Sequence, residues 1–190
     1  MRRAIACLLG GALLAVLLVG QSAAERAELS LQDVTVIERQ DGAGRVLFRV
    51  GEGLPNGATI SRAILEFPVS GVSESRRVGL QVFLIARDWT REGAGWDSGW
   101  NTPGGDVHDR LYARAELPEG TGSGEISFDL TGPMKAARED GVESFGFLLM
   151  ADRREEGELE ESDLERVASL ANGKMKVTYR TSLASRVRGE

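Results

Sequence analysis

One glycine-rich segment, residues 89–106, concentrates the side chains best suited to binding chemistry, because it holds all three tryptophans of the chain. Indole rings offer a large apolar face, and two of them on one loop could stack against a sugar ring or another planar ligand. Neighbouring carboxylate and amide oxygens would hydrogen-bond such a ligand, or coordinate a structural calcium ion. The candidate ligand-binding residues are therefore Trp96, Trp100, Asp97, Asn101 and Asp106.

The same tryptophans could instead have a purely architectural role. In that alternative the rings fold inward and pin a long loop over one end of the domain. We expect this inward packing for Trp89, because it closes the apolar strand pattern at residues 78–86. For Trp96 and Trp100 both alternatives stay open.

Residues suited to catalysis are scarce in this chain. His108 is the only histidine, and residues 106–109 place it in a loop between carboxylates. No serine stands in the Gly-x-Ser-x-Gly turn of serine hydrolases, although Ser123 comes closest. Paired carboxylates could still cleave glycosides. Acidic residues are abundant in this chain, however, so finding some of them near tryptophan is weak evidence for a catalytic pair. The candidate carboxylates near the tryptophans include Glu92, Asp97 and Asp106.

Residues 1–24 have the pattern of a secretory signal peptide. Two arginines precede an uncharged apolar run at residues 8–19, and small residues lead to a cleavage site after Ala24. The run is shorter than the ~18 residues of a membrane-spanning helix, so an uncleaved anchor is the less favoured alternative. Cys7, the only cysteine, leaves with the signal, so the mature chain could form neither disulfides nor thiolate metal sites.

The rest of the chain is short enough to form one domain. We predict a signal peptide at 1–24, a single β-sandwich domain at 25–185 and a flexible tail at 186–190. The mature protein would be secreted, periplasmic or on the cell surface, with no membrane span after signal cleavage.

The charge balance argues against nucleic acid as a partner. The whole chain has a net charge of −6, and it becomes −8 without residues 1–24, which hold two arginines and no acid. An acidic domain repels phosphate backbones and anionic membranes. Seven acidic residues cluster at 155–165, where the sequence predicts a solvated loop; a loop binding a divalent cation is the alternative, but the spacing is not that of an EF-hand.

The pattern of apolar residues predicts many short strands. Apolar residues alternate with a period of two, or run continuously, in segments separated by glycine-rich turns. These segments are 29–37, 46–50, 60–69, 78–84, 126–130, 145–150 and 175–179. The continuous run at 145–150 predicts a central strand buried on both faces. One short helix is expected from Thr131 or Gly132 to Gly141, with Pro133 at its first position. Together the segments favour an all-β, antiparallel β-sandwich or jelly roll with one short helix.

Short motifs of this chain, in the same order, resemble the bacterial DNRLRE domain family. They are VLFRV at 46–50, LPNGATI at 54–60, AILEF at 63–67, WTREGAGWD at 89–97, WNTPGGD at 100–106, ISFDLT at 126–131, GFLL at 146–149 and MKVTY at 175–179. The resemblance covers residues 31–179, and Gly95 stands where the family usually has threonine. It implies a jelly roll akin to carbohydrate-binding modules, of the kind found in secreted and cell-surface bacterial proteins, and it supplies no catalytic residues.

Three functions are compatible with these observations. The first is a secreted, non-catalytic binding module for carbohydrate or another cell-surface polymer. The second is a structural or assembly protein of the cell envelope that acts through a protein partner, since a domain with little catalytic machinery often works by interaction. The third is a secreted hydrolase that acts on glycans.

Overall fold

The computed structural model describes residues 23–55, 57–69, 77–117, 119, 123–152 and 158–181. Eight strands and two α-helices make up the fold in this part of the chain. The strands are β1 (Glu25–Glu38), β2 (Gly44–Val50), β3 (Thr59–Val69), β4 (Val78–Ile85), β5 (Val107–Leu117), β6 (Gly124–Asp129), β7 (Phe147–Ala151) and β8 (Lys174–Arg180). The helices are α1 (Thr131–Glu139) and α2 (Glu161–Val167), and a 3-10 turn at Ala168–Asn172 follows α2.

The strands pair in the order of a jelly roll, and every pairing is antiparallel. One layer is β1-β8-β3-β6 and the other is β2-β7-β4-β5. β1 joins the layers, because Glu25 to Ser30 pair with β8 whereas Leu31 to Glu38 pair with β2. Within the half that pairs with β2, the register shifts between Gln32 and Thr35, near Asp33, whose φ is 52°. β5 and β6, at the two ends of the strand order, lie close together and nearly close a flattened barrel. The prediction of an antiparallel β-sandwich or jelly roll is confirmed.

β5 is the strand that the sequence analysis missed. His108 is the second residue of β5 and is half-buried, so its predicted position in a loop is wrong. Among the described strands, β5 pairs with β4 alone, and it carries charged side chains at the even-numbered positions Arg110, Arg114 and Glu116, as is usual for an edge strand. This polarity hid a period-two pattern of apolar residues that runs from Leu111 through Ala113 to Leu117.

The predicted helix exists, but its start differs by one or two residues. α1 begins at Thr131 after the N-cap residue Leu130, which makes no side-chain cap, so Pro133 is the third helical residue rather than the first. Asp129 instead accepts a hydrogen bond from the Thr131 backbone N–H at 2.9 Å. Gly141 has the predicted left-handed conformation, with φ of 64°, just beyond the helix end.

α2 was not predicted, and it lies within the acidic run that was expected to be a solvated loop. Leu164 and Val167 are buried by the helix, and an Asp163–Arg166 ion pair at 4.0 Å is buried with them. Just before the helix, Glu158 pairs with Arg39 at 3.2 Å. The part of the run from 158 onward is therefore packed against the domain, whereas residues 153–157 lie outside the described residues.

Apolar side chains are buried in two separate layers. The main core lies between the two sheets and includes the stacked rings of Phe48 and Phe147, 5.3 Å apart, and of Phe67 and Phe128, 6.1 Å apart. The other layer lies on the outer face of the β2-β7-β4-β5 sheet. We call it the outer cluster, and its buried members are Ile37, Leu47, Phe83, Ile85, Trp89, Leu148 and Met150.

The outer cluster explains why two central strands, β7 and β4, carry apolar side chains on both faces. In β7, Phe147 and Leu149 belong to the main core, and Leu148 and Met150 belong to the outer cluster. β4 alternates in the same way, with Val82 facing inward and its neighbours facing outward. The expected strand buried on both faces is confirmed from Phe147 to Met150, whereas Phe145 and Gly146 precede the strand and are half-buried.

The structure bears only in part on the predictions about a membrane span and about the two ends of the chain. Among the described residues no helix is long and apolar enough to cross a membrane. The predicted signal peptide and the tail at 186–190 lie outside the described residues, except for Ala23 and Ala24.

Truncation of Leu148 tests whether the outer face is as closely packed as the main core. Leu148 is fully buried, so Leu148→Ala should lower the free energy of unfolding by about 2–5 kcal/mol, measured by urea denaturation. Val36→Ala is the control, because the Val36 side chain is 44% exposed and should cost about 0.5 kcal/mol or less. Equal costs for the two variants would contradict the burial of this face.

The start of α1 should make stability depend on pH in the acidic range. A hydrogen bond from the Thr131 side chain, and another from its backbone, hold the pKa of Asp129 below its ordinary value. Since the folded pKa is the lower one, this carboxylate stabilises the fold above the ordinary pKa and loses that effect as pH falls through the lowered value. Asp129→Asn should therefore lose less unfolding free energy than the parent chain between about pH 5 and about pH 2. Identical pH profiles in denaturation experiments would argue against this hydrogen bonding.

Candidate functional site

The three tryptophans lie on the connection between β4 and β5, residues 86–106, which we call the tryptophan loop. Its two ends are held together, because β4 and β5 are neighbours and the Ala86 N–H donates to the Asp106 carbonyl at 2.9 Å. The loop crosses the outer face of the sheet, where Ala94, Trp96 and Trp100 pack on the outer cluster. The loop thus covers an apolar surface that would otherwise meet water.

Trp89 is the deepest of the three rings, being only 5% exposed. Its indole N–H donates to the Phe145 carbonyl at 2.9 Å, and the Arg49 guanidinium lies 5.1 Å from its ring centroid. Arg49 also donates to Asp88 at 2.9 Å, and the same Asp88 oxygen accepts the Trp89 backbone N–H. The expected inward packing of Trp89 is confirmed.

Trp96 is half-buried and sits beneath arginine side chains. The Arg45 guanidinium lies 4.9 Å from its ring centroid, and that of Arg39 lies 5.9 Å away. Arg45 donates to the Gly104 carbonyl at 2.9 Å and lies 3.9 Å from Glu158. These contacts tie the tryptophan loop to β2 and to the chain just before α2 through cation–π and ionic interactions.

Trp100 is also half-buried, and its indole N–H donates to the Gly95 carbonyl at 2.9 Å within the loop itself. The sequence did not decide between the two alternatives for Trp96 and Trp100. In the structure both rings pack on the outer cluster and keep part of their surface in solvent. In the alternative of a purely architectural role, we expected the loop to cover one end of the sandwich. The loop instead lies on the outer face of one sheet, because the apolar outer cluster is there to be covered.

Asp106 has both carboxylate oxygens engaged in the loop backbone. One accepts the Asn101 N–H at 2.8 Å and the other accepts the Thr102 N–H at 2.9 Å. Arg87 lies 3.8 Å from Asp106 and donates to the Asn101 side-chain oxygen at 2.5 Å. These two predicted ligand residues thus hold the loop in shape, whereas Asp97, the third polar candidate, is exposed.

Two glycines of the loop, Gly95 and Gly104, lie close to neighbouring side chains. A Cβ on Gly95 would lie 2.5 Å from the Ser98 hydroxyl oxygen, so a side chain there would require the Ser98 side chain to move. Gly104 has φ of 82°, and a Cβ there would lie 2.7 Å from Arg45 Nη1 and 3.1 Å from the Trp96 ring. A side chain at either position would have to displace these neighbours.

A pocket of about 250 Å³ opens beside Trp89 and Trp100. Asp88 and Thr90 are the polar side chains of its wall, and Ala94 and two glycines complete it. Of the predicted ligand residues only Trp100 lines this pocket; Trp96, Asp97, Asn101 and Asp106 do not. Asp88 and Thr90 were missed, and the only sequence signal for them is that they flank Trp89.

The groups considered for catalysis or metal binding are dispersed or already engaged. His108 Nε2 lies 3.0 Å from the Glu143 carbonyl oxygen, with which it can form a hydrogen bond. Glu92 and Asp97 are exposed, whereas Asp106 is bonded to the loop backbone. In the part of the chain that the structure describes, no three His, Cys, Asp or Glu side chains come together as a metal site. Calcium therefore has no carboxylate cluster of that kind among these residues.

No known protein-family model matches this chain, and no curated protein sequence matches it.

Asp106 and Asp97 form a matched pair for testing which aspartate supports the loop. Asp106→Ala leaves two backbone N–H groups without their acceptor, so it should lower the free energy of unfolding by about 1–3 kcal/mol. It should also speed amide hydrogen exchange at Asn101 and Thr102. Asp97→Ala removes an exposed side chain and should change stability by about 0.5 kcal/mol or less. Equal effects of the two substitutions on exchange at these amides would show that Asp106 has no such role.

Proposed function

We propose that this protein is a secreted, non-catalytic binding module that holds a single sugar residue of a carbohydrate in the pocket beside Trp89 and Trp100. The observation that carries the proposal is this pocket, which Trp89 and Trp100 line together with one residue bearing a carboxylate and one bearing a hydroxyl. Sugar rings have apolar faces and polar edges, and such a wall offers a partner to each.

The size and the fixed position of the pocket groups support a sugar ligand. At about 250 Å³ the pocket is smaller than the range of about 300–1,000 Å³ typical of drug-sized ligands, so it suits one ring better than an extended chain. Asp88 is held by Arg49 at 2.9 Å, and Thr90 Oγ1 accepts the Gly93 N–H at 3.2 Å. Groups that are fixed before the ligand arrives lose less entropy when it binds.

Two sequence features also support this proposal. The motifs that resemble DNRLRE domains imply a relationship to carbohydrate-binding modules, and the jelly-roll strand order agrees with that resemblance. Residues 1–24 have the pattern of a secretory signal, which would place the module in the periplasm, at the cell surface or outside the cell, where glycans are abundant.

Saccharide binding by the chain without residues 1–24 tests the proposal. We expect one or more members of a panel of monosaccharides and cell-wall polysaccharides to bind in isothermal titration calorimetry. Trp100→Ala should then raise the Kd about tenfold or more, because a stacking partner worth about 1.4 kcal/mol is lost. Ala94→Leu should do the same by filling the pocket while leaving both rings in place.

Trp96→Ala is the matched control, because Trp96 is half-buried on the same outer cluster but does not line the pocket. Its Kd should stay within about twofold of the parent value, provided that near-ultraviolet circular dichroism shows a folded domain. Failure of every saccharide to bind, or equal losses in Trp96→Ala and Trp100→Ala, would refute the proposal.

One observation favours the alternative of a structural or assembly protein of the cell envelope. The Trp89 and Trp100 indole N–H groups and the Asp106 carboxylate are all bonded within the protein, as expected if the loop serves architecture alone. In that case the chain should co-purify from its native envelope with a stable protein partner, and Trp100→Ala should lower stability without affecting saccharide binding.

A further inference from the structure

A second pocket lies where α1 meets the start of β3 and the end of β8. Its volume is about 610 Å³, within the range of about 300–1,000 Å³ for small-molecule sites. It shares no lining residue with the pocket beside Trp89 and Trp100. The first three residues of β3, Thr59, Ile60 and Ser61, form one wall.

Positive charge dominates the lining of this second pocket. Lys135, Arg138 and Arg180 face a single carboxylate, that of Glu139, although the chain as a whole has a net charge of −6. Lys135 and Arg138 are three residues apart on α1, which brings them to one helix face. Arg180 comes from a different segment, at the end of β8, where it pairs with Thr59 of β3. The fold thus gathers cations from two distant segments.

The described residues do not neutralise these cations. Within the described part of the chain, no ion pair joins Lys135, Arg138 or Arg180 to a carboxylate. A pocket whose lining holds three cations and one carboxylate attracts anions locally, whereas an acidic surface elsewhere repels them.

Part of the lining is held in place by the fold. The Arg138 guanidinium donates to the Ala58 carbonyl oxygen, which fixes the arginine against the segment before β3. The Ser61 hydroxyl donates to the Thr178 carbonyl at 2.9 Å, and Ile60 between these residues is buried. A cation that is already anchored loses little conformational freedom when it binds a ligand.

We propose that this pocket binds an oxyanion carried by a small organic molecule, namely a carboxylate, a phosphate ester or a sulfate ester. Arginine recognises all three groups through paired N–H donors, and lysine adds a point charge. The Thr59 hydroxyl offers a neutral donor. Ile60 and the aliphatic stems of the long cationic side chains provide apolar contact for the carbon part of the ligand. This inference does not rest on the proposed sugar pocket, because the two sites have no residue in common.

Titration of the chain without residues 1–24 tests the proposal, with binding followed by NMR at the backbone amides. The probes are glucuronate, glucose 6-phosphate and glucose 6-sulfate, with neutral glucose for comparison. We expect at least one anionic probe to give saturable shifts at residues 59–61 and 135–139, and glucose to give none there. The probe with the lowest Kd identifies which oxyanion the pocket prefers.

Substitutions distinguish a defined site from diffuse electrostatic attraction. Lys135→Ala combined with Arg180→Ala should raise the Kd for the best probe about tenfold or more, since two charge-assisted contacts are lost. Glu139→Gln should lower the Kd, because it removes the one carboxylate in the lining. Arg62→Ala is the matched control: Arg62 is an exposed cation on β3 that does not line the pocket, so its loss should change the Kd by less than about twofold.

Three results would overturn the proposal: no saturable binding of any anionic probe, glucose shifts at the same amides equal to those of the anions, or an equal loss of affinity in Arg62→Ala. Each concerns residues of this pocket alone. Failure here would leave the saccharide experiments on Trp100 and Ala94 unaffected, and the reverse also holds.

Discussion

Apolar side chains on both faces of β4 and β7 leave one sheet of the sandwich with a surface that must be kept from water. Burying one large apolar side chain stabilises a protein by about 1.5–3 kcal/mol. Several such residues, Leu148 and Phe83 among them, lie on this face, so covering them stabilises the fold. The connection between β4 and β5 provides this cover. The connection is long enough to cross this face, and its indole rings and arginine contacts hold it there. The small pocket beside Trp89 and Trp100 lies on this connection.

Much of the fold could be predicted from the sequence because the inner faces of the strands alternate strictly. Leu65 and Phe67 in β3, or Val82 and Leu84 in β4, are apolar at every second position and all belong to the main core. β5 escaped notice because an edge strand can carry charge on its outer face. α2 escaped because tertiary packing stabilises it: its polar Asp163 and Arg166 are buried as a pair, which no local pattern reveals.

Less of the candidate site than of the fold could be predicted from the sequence. Asp97 and Asp106 have the same side chain on the same loop, yet one is exposed and the other holds two backbone N–H groups. That difference depends on the conformation of the loop. Residue types and their spacing do not determine this conformation. The inward packing of Trp89 was predictable because it comes soon after the apolar pattern at residues 78–86. The cationic pocket was not predictable, because strand pairing rather than the local sequence brings Arg180 close to α1.

The division of β1 between the two sheets has a consequence for the order of assembly. Its first half pairs with β8, so that Glu25 and Tyr179, 154 positions apart, become neighbours. The ribosome completes the first strand long before the last, and half of β1 must therefore wait for its partner. Topologies with such distant pairings fold slowly, and strand edges that wait unpaired are exposed to association with other chains. Closure of this jelly roll is thus a late event that needs nearly the whole polypeptide.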